Sequence, residues 1–270
     1  MNTLDIAIPT FRPEGINRIE KMLLPPKEGV RYVVSWQEHE DTPIPASISN
    51  RKDVLISRLN LSGVSNNRNN ALSKCTADIV LISDDDIIFK DDAFDNIIKA
   101  FNQRDDMDLG IFKMKYSIPK SYPREECDLH IPYPKGFYGS AVEIAFKREK
   151  TGNLRFWPGI GPGNDRLQTG EDELFLISAI KRGLKCRFIN QEIGEHPSIS
   201  TGFRVTPGIL RGQGFIINIM YPFSWILRIP LKALRLRNQR KGKFLSSLKY
   251  LGNGAIFALK NYRKISREFR

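Results

Sequence analysis

Three consecutive carboxylates, Asp84, Asp85 and Asp86, follow the short apolar run Ile79–Ile82 after the single residue Ser83. The run is rich in β-branched residues and too short for a helix, so it predicts a buried strand. Adjacent carboxylates repel one another unless a cation or hydrogen-bond donors neutralise them, and acidic oxygen sites suit Mg²⁺, Mn²⁺ and Ca²⁺. In extended backbone, Asp84 and Asp86 project to one side and Asp85 to the other. The pattern therefore predicts an Asp-x-Asp pair for a divalent cation at the carboxyl end of a strand, where open α/β sheets bind ligands.

A second interpretation of these acids is structural. They could serve as loop acids that cap a helix beginning near Asp91. However, Asp91 and Asp92 already supply the negative charge that a helix N-terminus favours. The rest of the sequence has to decide between the two interpretations.

Another acidic group, Glu171-Asp172-Glu173, follows Gly170. Apolar residues recur after it at helical spacing and predict a helix that ends near Gly183: Leu174, Ile177, Ile180 and Leu184. Acids in a first helical turn are favoured by the helix dipole, which alone could explain them. A glycine-rich loop precedes them, and it would leave Glu171 or Asp172 on an open cleft.

His196 is one of three histidines and stands between Glu195 and Pro197, just after a predicted last strand at Cys186–Ile193. A single histidine is usually structural. One held before a proline at a strand end could also bind a metal ion.

Strands and helices alternate along the first 200 residues at a spacing that predicts an α/β domain with a mostly parallel, covered sheet. The first strand should end at Pro9, and a weak third strand is expected at Leu59–Leu61. The remaining predicted strands are Arg31–Trp36, Ile79–Ile82, Leu109–Met114, Ser140–Phe146 and Cys186–Ile193, and the helices are Ile16–Leu24 and 92–102. Two irregular stretches, 115–136 and 157–169, should border a site, and we expect the second to be mobile.

The basic residues are concentrated at the end of the chain. The net charge is +12, but residues 1–199 hold 27 Lys and Arg against 29 Asp and Glu, whereas residues 200–270 hold 15 against 1. The last quarter is therefore expected to meet an anionic partner. The three cysteines lack disulfide or zinc spacing, and no signal peptide or spanning run of about 20 apolar residues is present, which favours a reducing cytoplasm.

Within this basic part, residues 215–227 are apolar but interrupted by Pro222 and flanked by Arg211 and Arg228. The segment is too short to span a bilayer and has the aromatic and basic content of one lying in a membrane interface. The alternative is a pair of helices that closes an acceptor-binding half, and both could hold.

Four segments stand in an order that we recognise. They are Ile6-Ala7-Ile8-Pro9-Thr10-Phe11-Arg12, Arg68-Asn69-Asn70-Ala71, Leu81-Ile82-Ser83-Asp84-Asp85-Asp86 and Gly170-Glu171-Asp172-Glu173 before a helix. Over about residues 4–200 the chain thereby resembles the family-2 glycosyltransferases with the GT-A fold, of the bacterial cell-surface polysaccharide type. The resemblance implies a GT-A domain over 1–204, with a nucleotide-binding half at about 1–110 and an acceptor half at about 111–204. A basic helical extension, 205–270, would follow and associate with the inner face of the cell membrane.

The resemblance also implies an activity and its residues. Members transfer a sugar from a nucleotide diphosphate to an acceptor hydroxyl with inversion, using Mn²⁺ or Mg²⁺, and the acceptor would be a glycan or a lipid-linked sugar. Transferred to this sequence, the nucleotide-binding residues would be Pro9, Thr10, Arg12, Arg68, Asp84 and Asp85. The metal would be held by Asp86, Asp84 and His196, and Asp172 of the Glu171-Asp172 pair would be the catalytic base.

Two features depart from the family pattern. An Asp that often holds the nucleobase is replaced here by Ser35-Trp36-Gln37-Glu38, so stacking by Trp36 or an amide contact from Gln37 could substitute. The three acids also leave open whether Asp85 or Asp86 holds the metal.

Two other function classes are weaker. The basic tail could bind nucleic acid, but its basic residues alternate with aliphatic side chains and carry no known motif, so we expect no nucleic-acid partner. A sugar nucleotidyltransferase would need a glycine-rich basic loop after the first strand, which Pro9-Thr10-Phe11-Arg12-Pro13 does not provide.

Overall fold

The structure is a computed structural model that describes residues 2–197 and 205–268. The chain divides into two compact units. The described part of the first unit comprises residues 2–62, 66–152 and 179–197, and that of the second comprises residues 63–65, 153–178 and 205–268. The second unit thus combines the C-terminal helices with part of the predicted 1–204 domain. Among the described helices, none has the length and apolarity needed to cross a bilayer.

All described strands belong to the first unit and join one sheet. They are β1 (Leu4–Phe11), β2 (Val30–Gln37), β3 (Val54–Leu59), β4 (Ile79–Ile82), β5 (Ile88–Phe89), β6 (Leu109–Tyr116), β7 (Cys127–Asp128), β8 (Ile144–Lys147) and β9 (Cys186–His196). Their order is β3-β2-β1-β4-β8-β6-β9-β5, and β7 pairs with β9. The predicted α/β class is confirmed. The sheet is parallel from β3 through β4 and becomes mixed beyond it, where β8 runs antiparallel to both of its neighbours.

Helices connect these strands and extend beyond them. They are α1 (Gly15–Met22), α2 (Ala46–Ser49), α3 (Val64–Lys74), α4 (Ala93–Asn102), α5 (Arg148–Thr151), α6 (Glu171–Lys181), α7 (Pro207–Met220), α8 (Trp225–Asn238) and α9 (Phe244–Glu268). In the first unit, Ile16 and Ile19 of α1 and Ile97 and Phe101 of α4 are buried in the same core cluster as the apolar side chains of β1, β2 and β4. The helices thereby cover the sheet and fix where its strands end.

The carboxyl ends of β1, β2 and β4 lie at one edge of the sheet because these strands are parallel. β4 pairs with β1 only as far as Ala7, and beyond it β1 has only β2 as a partner. Pro9 therefore lies where one side of the strand is already open, so its missing N–H breaks no pairing with β4. This is why β1 continues to Phe11 instead of ending at Pro9 as the sequence suggested.

The third strand also differs from its prediction. It spans Val54–Leu59, where only Leu59–Leu61 was expected. Arg58 and Ser57 interrupt the apolar pattern, and the strand lies at the edge of the sheet, where a polar side chain can remain partly exposed. Edge strands give weaker sequence signals because only part of their surface is buried.

The second unit has its own small core, in which α8 and α9 pack with α7. The helices α7 and α9 approach so closely that a Cβ at Gly214 would lie 1.9 Å from the carbonyl oxygen of Leu251. Phe215, Ile216 and Ile219 of α7 are buried. The first half of the 215–227 segment is therefore part of a core and presents no membrane-facing surface, contrary to the interfacial interpretation of that half.

Candidate functional site

Each of the three carboxylates after β4 has a different basic side chain beside it. Asp84 Oδ1 lies 3.0 Å from Nη2 of Arg68 in α3. Asp85 Oδ2 lies 2.8 Å from Nη2 of Arg18 in α1, and Asp86 Oδ1 lies 3.3 Å from Nε2 of His196 at the end of β9. Each acid thus has its own partner from a different element, which relieves the repulsion expected among adjacent carboxylates.

Asp85 is the most buried of the three. Its side chain is 14% exposed, against 31% for Asp84 and 25% for Asp86. It accepts hydrogen bonds from the Arg18 guanidinium and from the Thr10 hydroxyl. Burial raises the pKa of Asp85 above the ordinary aspartate value, and these two donors offset part of that rise. The carboxylates that remain more open are Asp84 and Asp86, the two predicted to share a side.

Helix α3 brings Arg68 to the strand ends through its amide side chains. Asn67 Nδ2 donates to the Thr10 carbonyl at 2.8 Å. Asn70 Nδ2 donates to Ser35 Oγ at 2.8 Å and to Ser57 Oγ at 3.1 Å. The asparagine-rich sequence of α3 therefore binds the polar edge of β1, β2 and β3, and it holds the buried Arg68 beside Asp84.

His196 reaches Asp86 because β9 extends to this edge of the sheet. The short strand β5, just after the acids, pairs with β9 so that Ile88 is opposite Glu195. On its other side, β9 pairs with β6 so that Tyr116 is opposite His196, and the Tyr116 ring contacts the imidazole edge to face. Within the described residues, no three His, Cys, Asp or Glu side chains converge as a ready metal site. The donors Asp84, Asp86 and His196 nevertheless have the oxygen and nitrogen chemistry that Mn²⁺ accepts.

The end of β2 does not present Trp36 as a stacking surface. The indole is fully buried, and its Nε1 donates to the Arg12 carbonyl at 2.8 Å. Gln37 is also buried and donates from Nε2 to the Leu61 carbonyl. These contacts hold the loops after β1 and β3. Trp36 and Gln37 are therefore structural here and are not presented for stacking on a nucleobase or for hydrogen bonding to it.

Arg12 and Pro9 differ in their accessibility to a ligand. Pro9 is buried in β1, whereas Arg12 is exposed at a positive φ of 64° and its Nε lies 3.8 Å from Glu38 Oε2. Arg12 is therefore the residue of this loop that can move to meet an anionic ligand.

A cavity of about 240 Å³ opens beside the ends of β2 and β3. It is lined by Glu38, His39, Glu40 and Leu59–Ser62. Glu38 and Glu40 adopt positive φ, as does Asp41, so this loop has an unusual backbone shape. The sequence did not predict this pocket, because Glu38 and Leu59–Leu61 belong to separate segments with no pattern that links them.

The Glu171-Asp172 pair begins α6 in the second unit. Glu171 is buried, whereas Asp172 is partly exposed. Gly170 has a φ of +105°, and a Cβ there would lie 2.7 Å from Ile216 Cγ1 of α7. The helix start is thus packed tightly enough to fix which of the two carboxylates faces outward.

The loop before α6 is packed, although the sequence suggested a mobile one. Ile160 and Leu167 are buried, and the Gly161 N–H donates to the Leu167 carbonyl at 2.8 Å. The Trp157 ring stacks on Phe215 with centroids 5.9 Å apart. The glycines of this loop therefore allow close packing.

Comparisons with known proteins point to one family. Residues 46–156 match the model of the family described as Glycosyl transferase family 2. Over this stretch the chain is similar to that family, and the match indicates a glycosyltransferase. The matched residues include Arg68 and the three acids Asp84–Asp86. No curated protein gives a significant match to the sequence.

Solved structures show the fold of this glycosyltransferase. The crystal structure of S. aureus TarS residues 1–349 in complex with UDP-GlcNAc is 17% identical, with a TM-score of 0.63, and the match covers 99% of this chain and 91% of TarS. The same TarS fragment in complex with UDP gives a TM-score of 0.61 at 17% identity, with the same coverage. The predicted GT-A fold is confirmed by these matches.

The predicted site residues of the glycosyltransferase fall into two sets. Asp84, Asp85, Asp86, Arg68 and His196 meet in the first unit. Their immediate neighbours there include Thr10 and, beyond the predicted set, Arg18. Glu171 and Asp172 belong to the second unit. Arg18 gave no separate signal in the sequence, since a lone basic residue on an amphipathic helix is ordinary.

Proposed function

We propose that this glycosyltransferase transfers a hexosyl group from a nucleotide-diphosphate sugar to an acceptor hydroxyl with inversion, in a metal-dependent reaction. The observation that carries the proposal is that the three acids differ in their partners and in their exposure. Arg18 and Thr10 engage Asp85, while Asp84 and Asp86 remain more open and His196 lies 3.3 Å from Asp86. A cluster that served only as a helix cap would have no need for a separate basic partner for each acid.

For the metal, Asp86 and His196 fit as a carboxylate and imidazole pair, and Asp84 would supply a second carboxylate. This donor set suits Mn²⁺ or Mg²⁺. A divalent ion there would stabilise the negative charge that develops on the departing nucleoside diphosphate. Arg68 already neutralises Asp84 at 3.0 Å, so it is placed to exchange that contact for a phosphate oxygen of the donor.

For the donor, we infer a uridine nucleotide. TarS, whose fold this chain shares, has been crystallised with UDP and with UDP-GlcNAc. The cavity lined by Glu38 and His39 at the ends of β2 and β3 offers polar groups for the base, while Thr10 lies near the end of β1 and Arg12 directly follows that strand. Thermal-shift measurements with UDP, GDP and dTDP sugars, with and without Mn²⁺, test this assignment. Stabilisation by none of the three would refute the donor class.

For the base, exposure favours Asp172 over Glu171. Glu171 is buried at the start of α6 and its Cδ would lie 3.1 Å from a Cβ at Gly161, whereas Asp172 is partly exposed. An acceptor hydroxyl is a weak nucleophile at neutral pH, and a carboxylate that takes its proton contributes about 10²–10⁴-fold. Asp172 would fill this role, and Glu171 would orient the helix start.

The decisive experiment is Asp172→Asn. We expect transfer to fall by about 10²–10⁴-fold while Mn²⁺-dependent UDP binding, measured by calorimetry, stays within twofold of the wild type. Glu173→Gln is the matched control, because Glu173 is a partly exposed acid in the same helical turn. If Asp172→Asn transfers the sugar at the same rate as Glu173→Gln, Asp172 is not the catalytic base.

For the acceptor and the location, we infer a glycan or a lipid-linked sugar at the cytoplasmic face of the cell membrane, with the protein peripheral to that membrane. The support is the charge of the C-terminal helices. Residues 205–267 contain 13 Lys and Arg and no Asp or Glu. Such a segment is attracted to the anionic surface of a cytoplasmic leaflet.

A further inference from the structure

Helix α8 has two apolar faces, and only one of them is used inside the protein. Ile229, Ala233 and Leu236 are buried in the core of the second unit. A second set of apolar residues recurs at intervals of four, four and three residues and remains exposed: Phe223 (98%), Leu227 (70%), Leu231 (65%) and Leu234 (41%). Phe223 lies in the turn before the helix, and the three leucines share one side of it. We call these four residues the outer stripe of α8.

The outer stripe is unusual for a surface. Single exposed apolar residues are common, but an exposed contiguous patch of large ones marks an interaction surface. The helix has no structural need for this stripe, since its buried face already packs with Leu251 and Ala255 of α9. A partner outside the described residues therefore has to account for it.

Charge on the same helix narrows the class of partner. Arg228 and Arg235 each follow a stripe leucine by one residue and so lie on one flank, while Arg237 lies on the other flank. A second copy of this chain would bring two such basic faces together, and they would repel. An apolar stripe between basic flanks is instead complementary to a layer of lipid tails beneath anionic head groups.

We propose that the outer stripe of α8 lies in the interfacial layer of an anionic membrane, with Phe223 and Leu227 inserted among the acyl chains and the flanking arginines at the phosphate level. The inference rests on the proposed peripheral location and names the surface responsible. The helix has 14 residues and contains Pro230, so at about 1.5 Å per residue it is far shorter than the bilayer core. It therefore lies along the surface. The inserted face is not the 215–220 part of the apolar segment, because Phe215, Ile216 and Ile219 are buried.

The test is co-sedimentation of the full chain with vesicles of phosphatidylcholine alone or with one part in three of phosphatidylglycerol. We expect binding to the anionic vesicles only, weakened at high salt because surface charges are screened. The double variant Leu227→Gln/Leu231→Gln should bind at least tenfold more weakly. It changes no charge, so any loss reports the apolar contact. The matched control is Leu55→Gln, an exposed leucine of β3 in the first unit, which should bind as the wild type does.

The proposal is overturned if the wild-type chain does not bind anionic vesicles. It is also overturned if the double variant binds them as tightly as Leu55→Gln does. Analytical ultracentrifugation without vesicles tests whether a second copy of this chain covers the outer stripe instead. A wild-type dimer that the double variant converts to monomer would assign the stripe to a second copy and overturn the lipid assignment. UDP binding by the wild type and by the double variant is measured in parallel without vesicles. If neither protein binds UDP, the proposed donor chemistry is refuted, while the vesicle result still decides the membrane proposal.

Discussion

Lys120 and Glu143 form an ion pair whose side chains are both 0% exposed. Tyr116 and Tyr122 donate hydrogen bonds to Glu143 Oε1 at 2.9 and 2.5 Å. The Tyr138 ring centroid lies 4.3 Å from Lys120 Nζ. The ion pair thus fastens the irregular segment after β6 to the turn before β8, and we predict that it dominates the stability of this segment.

Replacing Lys120 by Met leaves the Glu143 carboxylate buried without its ammonium partner. Removing one member of a buried pair costs about 3–5 kcal/mol. At a urea m-value of about 3 kcal/mol/M, the unfolding midpoint of Lys120→Met should fall by roughly 1–2 M. The double variant Lys120→Met/Glu143→Gln removes both charges, so it should lose clearly less than the sum of the two single variants. Urea denaturation followed by tryptophan fluorescence and by circular dichroism measures all four proteins.

Lys27→Met is the matched control. Lys27 Nζ lies 2.7 Å from Asp95 Oδ2, but the two side chains are 39% and 51% exposed. An exposed pair contributes about 0–1 kcal/mol, so the same substitution should change the midpoint little. If Lys120→Met is no more destabilising than Lys27→Met, or if the two changes at the buried pair are strictly additive, the reasoning from burial is refuted.

Three further predictions concern the site. His196→Gln should weaken Mn²⁺ binding in the presence of UDP by about tenfold or more, measured by calorimetry, while an unchanged affinity would exclude the histidine as a ligand. Arg18→Gln removes a donor that lowers the pKa of Asp85. The loss of stability should therefore be larger above that pKa, where the buried carboxylate is left without its guanidinium partner, than below it, where protonation removes the unpaired charge. A difference in denaturation midpoint from the wild type that stays constant with pH would contradict this. Glu38→Ala should reduce the preference for UDP over GDP in thermal shifts, and an unchanged preference would exclude Glu38 from base recognition.

The strand ends were the part of the site that the sequence could predict. The run Ile79–Ile82 is apolar, so its extent as a strand follows from local pattern alone. The alternation expected for the three acids assumed extended backbone, whereas Asp85 and Asp86 lie in a turn. Strand β3 was displaced in the prediction because an edge strand need not be apolar, and its position in the sheet cannot be read from neighbours in sequence.

Contacts between distant residues could not be predicted in the same way. Lys120 and Glu143 are 23 residues apart, and neither position carries an apolar pattern that would indicate burial. Trp36 was considered for base stacking because it ends a strand, but burial of an indole depends on which loops cover it, here those of Arg12 and Leu61. The pairing of β5 with β9, which brings His196 to Asp86, involves strands more than 90 residues apart.

In the proposed metal site, Asp84 and Asp86 are left for the cation because Asp85 is engaged by other side chains. If Asp85 were as open as its neighbours, three carboxylates in succession would compete for the same cation and repel one another. Arg18 of α1 prevents this by engaging Asp85 together with the Thr10 hydroxyl. Arg18 also donates to the Phe11 carbonyl at 3.1 Å, so it ties the end of β1 to Asp85. The effect of removing Arg18 should therefore appear first in the pH dependence of stability and only secondarily in metal affinity.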